Sequence, residues 1–335
     1  MQRIIESIEF DLTSSCNSVC SGCARFKEHN GKLYRNPLLK FDQHLSVEKV
    51  KEIVKSPFVS QDVILGFVGL MGDAVAHPHF LDIVDICAEK IAQRGVIGIH
   101  TNGGLRNVDY WDKLGKKLKG LHHDVIFSID GLKDTNHIYR RRVSWMKVME
   151  NATSFISAGG NATWKFIKFP WNFHQRKQAR KLAKQMKFKS FQVVEDRDPA
   201  KERLHLKRIV DNGIKKFAAP AQSSHLLIRN DRKPRLKKDL ECNPTHLNIN
   251  YAGQINPCCF FNSVKTQDTL TDHYNKFVDT KNTQWNNINF NNFDDILANT
   301  WWEDLYKSRR TRPLPLCIYA CGIDKKKKQI NHGTN

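Results

Sequence analysis

The stretch "DLTSSCNSVCSGCARF", residues 11–26, sets Cys16, Cys20 and Cys23 directly behind the apolar run of residues 4–12. Thiolates at Cys-x3-Cys-x2-Cys spacing select an iron–sulfur cluster or zinc, because soft sulfur prefers those metals. Three sulfurs leave a four-ligand site one short. For zinc, His29 stands six residues on as a candidate fourth ligand. A [4Fe–4S] cube held by three cysteines instead keeps one iron open to an outside ligand.

Outward from this loop the chain alternates strands and helices. Residues 4–12 read as a first strand; "DVILGFVGL" (62–70), "GVIGIHTNG" (95–103), "DVIFSIDG" (124–131), "ATWKFIKF" (162–169) and "SFQVVED" (190–196) read as five more. Short, nearly all-apolar strands of this kind suit a parallel sheet covered on both faces. Helical patterns lie between them, starting at Ser46 as an N-cap, then at "FLDIVDICAEKIAQ", around 108–118, around 143–158, and in "HQRKQARKLAKQMK". In the last, Ala179, Leu182, Ala183 and Met186 form one apolar stripe. Six β-α units imply right-handed crossovers and a partial (β/α)6 TIM-type barrel, an α/β fold. Chemistry then gathers where loops leave the C-terminal ends of strands. The three cysteines, "GDAVAHP", "TNGG" and "SIDG" follow the first four strands onto that rim.

The 335 residues divide into four stretches: the barrel over 1–200, a basic linker over 201–240, a cysteine-rich α+β extension over 241–324, and a basic tail over 325–335 expected to be disordered. In the extension, "HLNINYAGQINPCCFF" reads as a hairpin turning at Ala252-Gly253, followed by an Asn-rich loop and a helix near "FDDILANTWWEDLYKS". Nine cysteines without an export signal point to metal rather than disulfides and to a cytoplasmic protein. Cys87, in "IVDICAEKI", reads as a small buried hydrophobe. No apolar window is long enough to span a membrane. The net charge of +20 fits a nucleic-acid partner, an anionic substrate, or solubility alone.

The Cx3Cx2C motif behind a first strand, continued by β-α units, resembles the radical S-adenosylmethionine (radical SAM) superfamily over roughly residues 4–196. The resemblance implies a [4Fe–4S] cluster on Cys16, Cys20 and Cys23, with the amino and carboxylate groups of SAM on its open iron. It also implies reductive cleavage of SAM to a 5′-deoxyadenosyl radical that abstracts hydrogen from substrate. "GDAVAHPHF" (72–80) is similar to the family's Gly-Glu-Pro segment, so Gly72 and Asp73 would offer backbone groups to the SAM amino group. Ser128 and Asp130 of "SIDG" would lie by the ribose, Thr101 and Asn102 by the sugar or substrate, and Arg140 on the SAM carboxylate, with Arg141 as the alternative register. Two positions depart from the family pattern: Gly22 stands where an aromatic is usual, and Asp73-Ala74 replaces Glu-Pro.

The Cys242-x10-Gly253-x4-Cys258 spacing resembles the opening of the SPASM and twitch extensions, which hold auxiliary iron–sulfur clusters. By that resemblance Cys242, Cys258, Cys317 and Cys321 would ligate a second [4Fe–4S] cluster, with four-thiolate zinc as the alternative and Cys259 turned away on its strand. The expected reaction is a net oxidation or bond formation on a peptide, protein or small polar substrate, with electrons from a flavodoxin or ferredoxin. RNA modification and a non-enzymatic zinc module binding nucleic acid are the alternatives. The residues name no catalytic acid or base.

Overall fold

The computed structural model describes residues 3–37, 39–91, 94–196, 243–262 and 284–311. Strand β1 (Ile5–Asp11) runs into the cysteine loop. A hairpin follows, β2 (Phe26–His29) and β3 (Lys32–Arg35), which the hydrophobic pattern did not announce. Its turn is Asn30-Gly31, both at positive φ (49° and 73°), the pair best able to take that conformation. Helix α1 (Val47–Lys55) begins where the Ser46 hydroxyl accepts the Lys49 amide at 3.3 Å. Then come β4 (Val59–Phe67), α2 (Phe80–Lys90), β5 (Val96–Thr101), α3 (Val108–Leu118), β6 (His123–Ser128), short α4 (Asn136–Tyr139), α5 (Trp145–Ser157), β7 (Ala162–Lys168), α6 (Arg176–Gln185) and β8 (Ser190–Glu195).

Six of these strands, β1-β4-β5-β6-β7-β8, lie side by side and parallel, as the alternation implies. Side chains alternate between the two faces of each strand. On the outer face Ile8, Phe10, Leu65, Phe67, Ile97, Ile99, Val125, Phe127, Trp164 and Phe166 are completely buried, in one core with Val50, Ile83, Trp111, Leu114 and Phe155 of the helices. The opposite, inner face carries Glu9, Ile64, Gly66, Gly98, His100, Ser128 and Lys165, none of them fully buried. The sheet therefore has one oily side for helices and one polar, sparsely covered side.

The C-terminal hairpin forms, as β9 (His246–Asn250) and β10 (Ile255–Asn256), with Gly253 at φ 84° in the turn. It does not build a sheet of its own. β9 pairs parallel with β1, extending the barrel sheet on its free edge, and β10 pairs antiparallel beyond it. Cys259 lies in a 3-10 turn after β10 rather than on a strand. The expected single helix near 293–308 is two, α7 (Phe293–Ala298) and α8 (Trp301–Thr311), because the extended Asn299 breaks the first and its side chain accepts the Trp301 amide. Both pack on the barrel: Asp294 accepts the Ser56 hydroxyl at 2.8 Å, and Arg3 lies 4.7 Å over the Trp302 ring.

Candidate functional site

The rim at the C-terminal ends of β1, β4, β5 and β6 brings the sequence-selected residues together. Asp11 ends β1 and is 1% exposed; its two carboxyl oxygens accept the Met71 amide at 3.1 and 3.2 Å, joining the start of the cysteine loop to the loop after β4. Burial pushes its carboxyl up to about 8, against the pull of the Met71 and Leu70 amides and of Arg25.

The three thiols sit among hydrogen-bond donors. Cys16 Sγ accepts the Ser18 amide at 3.4 Å and Asn102 Nδ2 at 3.5 Å. Cys20 Sγ lies 2.9 Å from the Ser18 hydroxyl and 3.7 Å from Arg140 Nη1. Burial pushes the Cys16 thiol up to about 12, with the Asp73 carboxylate adding to it, and raises Cys23 as well. Binding of a metal group must displace those protons, and the donors and guanidinium then face thiolate. Among the described residues no three His, Cys, Asp or Glu side chains are already gathered around a single point. His29, the proposed fourth zinc ligand, is exposed at the end of β2. Three thiols in one loop, with hydrogen-bond donors on Cys16 and Cys20, are a donor set that suits a thiolate-held iron–sulfur cluster.

Gly72 and Asp73 press against this loop from the end of β4. A Cβ at Gly72 would stand 2.0 Å from the Thr13 carbonyl oxygen, so only glycine fits. The Asp73 amide donates to Ser15 O at 2.8 Å. The Asp73 carboxylate, 4% exposed, accepts the Val75 amide, the Thr101 hydroxyl at 3.1 Å and the Asn102 amide at 2.8 Å. Burial raises its carboxyl. The Asp that replaces Glu thus caps the short turn at Ala74–Ala76 and ties the β4 loop to the β5 loop. Asn102 completes the link, Nδ2 donating to Asn17 Oδ1 at 2.8 Å as well as to Cys16. Thr101 and Asn102 are therefore brought to the cysteines.

Of the two neighbouring arginines, Arg140 is the one that faces the cysteine loop. Its Nε donates to Asp130 Oδ2 at 2.7 Å while Nη1 reaches Cys20; Arg141 is exposed, and its carbonyl accepts the Val19 amide at 3.0 Å and the Ser18 hydroxyl at 3.4 Å. Burial would lower the Arg140 guanidinium, but Asp130 and Cys20 outweigh it and keep it charged. Asp130 is 0% exposed, and its other oxygen accepts the Ile167 amide at 2.7 Å. Both carboxylate oxygens of Asp130 are thus engaged within the protein. Ser128 ends β6 half-buried on the inner face and makes no side-chain hydrogen bond among the described residues. His77, by contrast, is structural: Nε2 meets Leu45 O, Nδ1 accepts the His79 amide, and burial lowers it to about 4.

Three features escaped the sequence reading. Arg25 is buried behind the cysteine loop; its place two residues after Cys23 was the available signal. Tyr139, Phe169 and Trp171 form an aromatic ladder beside Arg140, with 4.6 Å between successive ring centroids. Gly66 and Gly98 are register partners on the inner face, and no described atom lies within 4 Å of a Cβ at Gly98. Cys242, Cys317 and Cys321, with the 201–240 linker and the 325–335 tail, lie outside the described residues; Cys258 is half-buried after β10.

Comparison with known proteins agrees with this fold. The fold is similar to that of SuiB from Streptococcus suis in its S-adenosylmethionine complex: TM-score 0.54, 16% identity, 92% of this chain and 66% of SuiB covered. The SuiB complex with precursor peptide SuiA gives 0.55 at 17% identity, over 92% and 67%. Native anSMEcpe with bound AdoMet gives 0.52 at 15% identity, over 90% and 83%. The chain thus spans about two thirds of SuiB, and at these identities the likeness is one of fold. No curated protein matches by sequence. The Radical SAM superfamily model matches residues 11–183, more than half the chain and the whole of the rim described above, so the protein belongs to the radical SAM superfamily.

Proposed function

We propose that this protein is a radical SAM enzyme acting on a peptide, with Cys16, Cys20 and Cys23 holding a [4Fe–4S] cluster and the rim around them holding SAM. The observation that carries the reading is Arg140: a guanidinium from a loop 120 residues away stands 3.7 Å from Cys20 Sγ, oriented by the buried Asp130. From there it can pair with a carboxylate bound at the cluster. When bound, the cluster and SAM together supply a 5′-deoxyadenosyl radical for hydrogen abstraction. The chain's own residues do the positioning. Arg140 holds the SAM carboxylate, and Gly72 and Asp73 line the amino group with backbone. Thr101, Asn102 and Ser128 border the sugar, and Asp130 keeps Arg140 pointed at the site.

A peptide substrate is supported by the fold's likeness to SuiB bound to its precursor peptide, and by the inner face at Gly98, which is open among the described residues. In the same reading Cys242, Cys258, Cys317 and Cys321 hold an auxiliary [4Fe–4S] cluster. It would take the electron left on substrate in a net oxidation, and a flavodoxin or ferredoxin would supply the reductant. Anaerobic reconstitution should then yield a brown protein with about eight irons for two cubanes. Dithionite with SAM should release 5′-deoxyadenosine. Replacing Cys16, Cys20 and Cys23 together by Ala should abolish that release; release at the wild-type rate refutes the assignment. Colourless protein with stoichiometric zinc refutes the enzyme reading.

A further inference from the structure

Arg25 is a second arginine at this site, itself buried, to which the proposed function assigns no contact with SAM. The residue is 6% exposed, and Nη1 donates to the Cys16 and Ser18 carbonyls, both at a long 3.4 Å. The Phe26 and Phe41 rings each lie 5.4 Å from the guanidinium carbon. Among the described residues Nε is buried with no hydrogen-bond partner and no carboxylate stands within ion-pair distance; the charge reaches the Asp11 carboxyl, but burial holds that group in its protonated form up to about pH 8. Arg140 differs: Asp130 neutralises it at 2.7 Å. Burying an uncompensated cation is unfavourable unless an anion arrives to meet it. The anion this loop collects is thiolate. Three thiolates on a dicationic cube leave one net negative charge, and one-electron reduction leaves two.

We propose that Arg25 is the counter-charge of the cluster on Cys16, Cys20 and Cys23, favouring its reduced state and so raising its reduction potential. The electron comes from the external reductant; Arg25 exchanges neither proton nor electron and touches no substrate. It is a positioning charge, distinct from Arg140. The proposal rests on the cluster reading above.

The test is a potentiometric titration of anaerobically reconstituted protein, followed by the EPR signal of the reduced cluster, for wild type, Arg25→Gln and Arg25→Lys. Gln keeps a donor for the loop carbonyls and removes the charge; Lys keeps the charge. At the wild-type midpoint potential, Arg25→Gln should show a reduced-to-oxidised ratio about tenfold lower, equivalent to about 59 mV for one electron. Arg25→Lys should stay within about twofold of wild type. An Arg25→Gln midpoint equal to wild type overturns the proposal, as does a Lys variant shifted as far as Gln. If Arg25→Gln retains its far-ultraviolet circular dichroism yet takes up no iron, the Lys variant decides. Loading by Lys supports a role for charge; failure of both shows that the residue serves packing and overturns it. A wild-type protein that takes up no iron refutes the cluster reading itself, which separates that failure from the failure of Arg25.

Discussion

Gly72→Ala and Gly98→Ala are the same chemical change at a rim glycine and at a mid-strand glycine, and the structure demands opposite results. At Gly72 the added methyl would lie 2.0 Å from the Thr13 carbonyl oxygen and 2.8 Å from that of Ser15. Carbon and carbonyl oxygen approach no closer than about 3.3 Å, so the β4 loop and the cysteine loop must part by roughly 1.3 Å. Overpacking of this kind costs about 1–3 kcal/mol. The parting also strains the bond from the Asp73 amide to Ser15 O, 2.8 Å long, worth about 1 kcal/mol. The expected loss is therefore about 2–4 kcal/mol. Because the same movement draws Cys16 away from Asn102, iron uptake should fall with it. Gly98→Ala meets no described atom within 4 Å and sits mid-strand at an ordinary φ, so it should be neutral or stabilise by about 0.4–1 kcal/mol through the unfolded chain. Urea unfolding of the metal-free proteins, with iron counted after reconstitution, measures both. Equal stabilities for the two variants, or wild-type iron in Gly72→Ala, would refute the reasoning.

Asp130→Asn removes one member of a buried ion pair and leaves Arg140 unmatched, which should cost about 3–5 kcal/mol in chemical denaturation. It should also weaken SAM binding measured by calorimetry, and adding Arg140→Gln should recover part of the stability; strictly additive losses would count against the pairing. Asp11 supplies the pH dependence. Its carboxyl is raised from 3.8 to about 8, so the folded state favours the protonated form. Its stabilising contribution is complete below about pH 4 and disappears as pH rises through 8, with a slope of at most about 1.4 kcal/mol per pH unit. Asp11→Asn, which keeps a carbonyl for the Met71 amide, should flatten the pH profile of unfolding free energy between pH 5 and 7.5; identical slopes in the two proteins would exclude this role.

What the residues announce by themselves is what depends on near neighbours in the chain. The alternation of "DVIFSIDG" and "ATWKFIKF" writes strands whose outer faces are oily whatever they later pack against, and Ser46 caps its helix by bonding three residues ahead. The three cysteines lie within one loop, so their spacing alone implies a shared metal group. The Asn30-Gly31 hairpin was written just as locally, but its strands are exposed and carry no hydrophobic alternation to frame it.

The tertiary structure decided whatever depends on segments distant in sequence. Nothing local separates Arg140 from Arg141; the carboxylate of Asp130, 2.7 Å from one and not the other, does. Nothing in "HLNIN" says that it will pair with β1, more than 230 residues away, because a strand's pattern records its faces and not its neighbour. Arg25 reads as one basic residue among 54 until the fold buries it with no carboxylate in ion-pair contact among the described residues. Periodicity and caps are energies between residues a few positions apart. Charge compensation and pairing partners are energies between groups that meet only once the chain has closed.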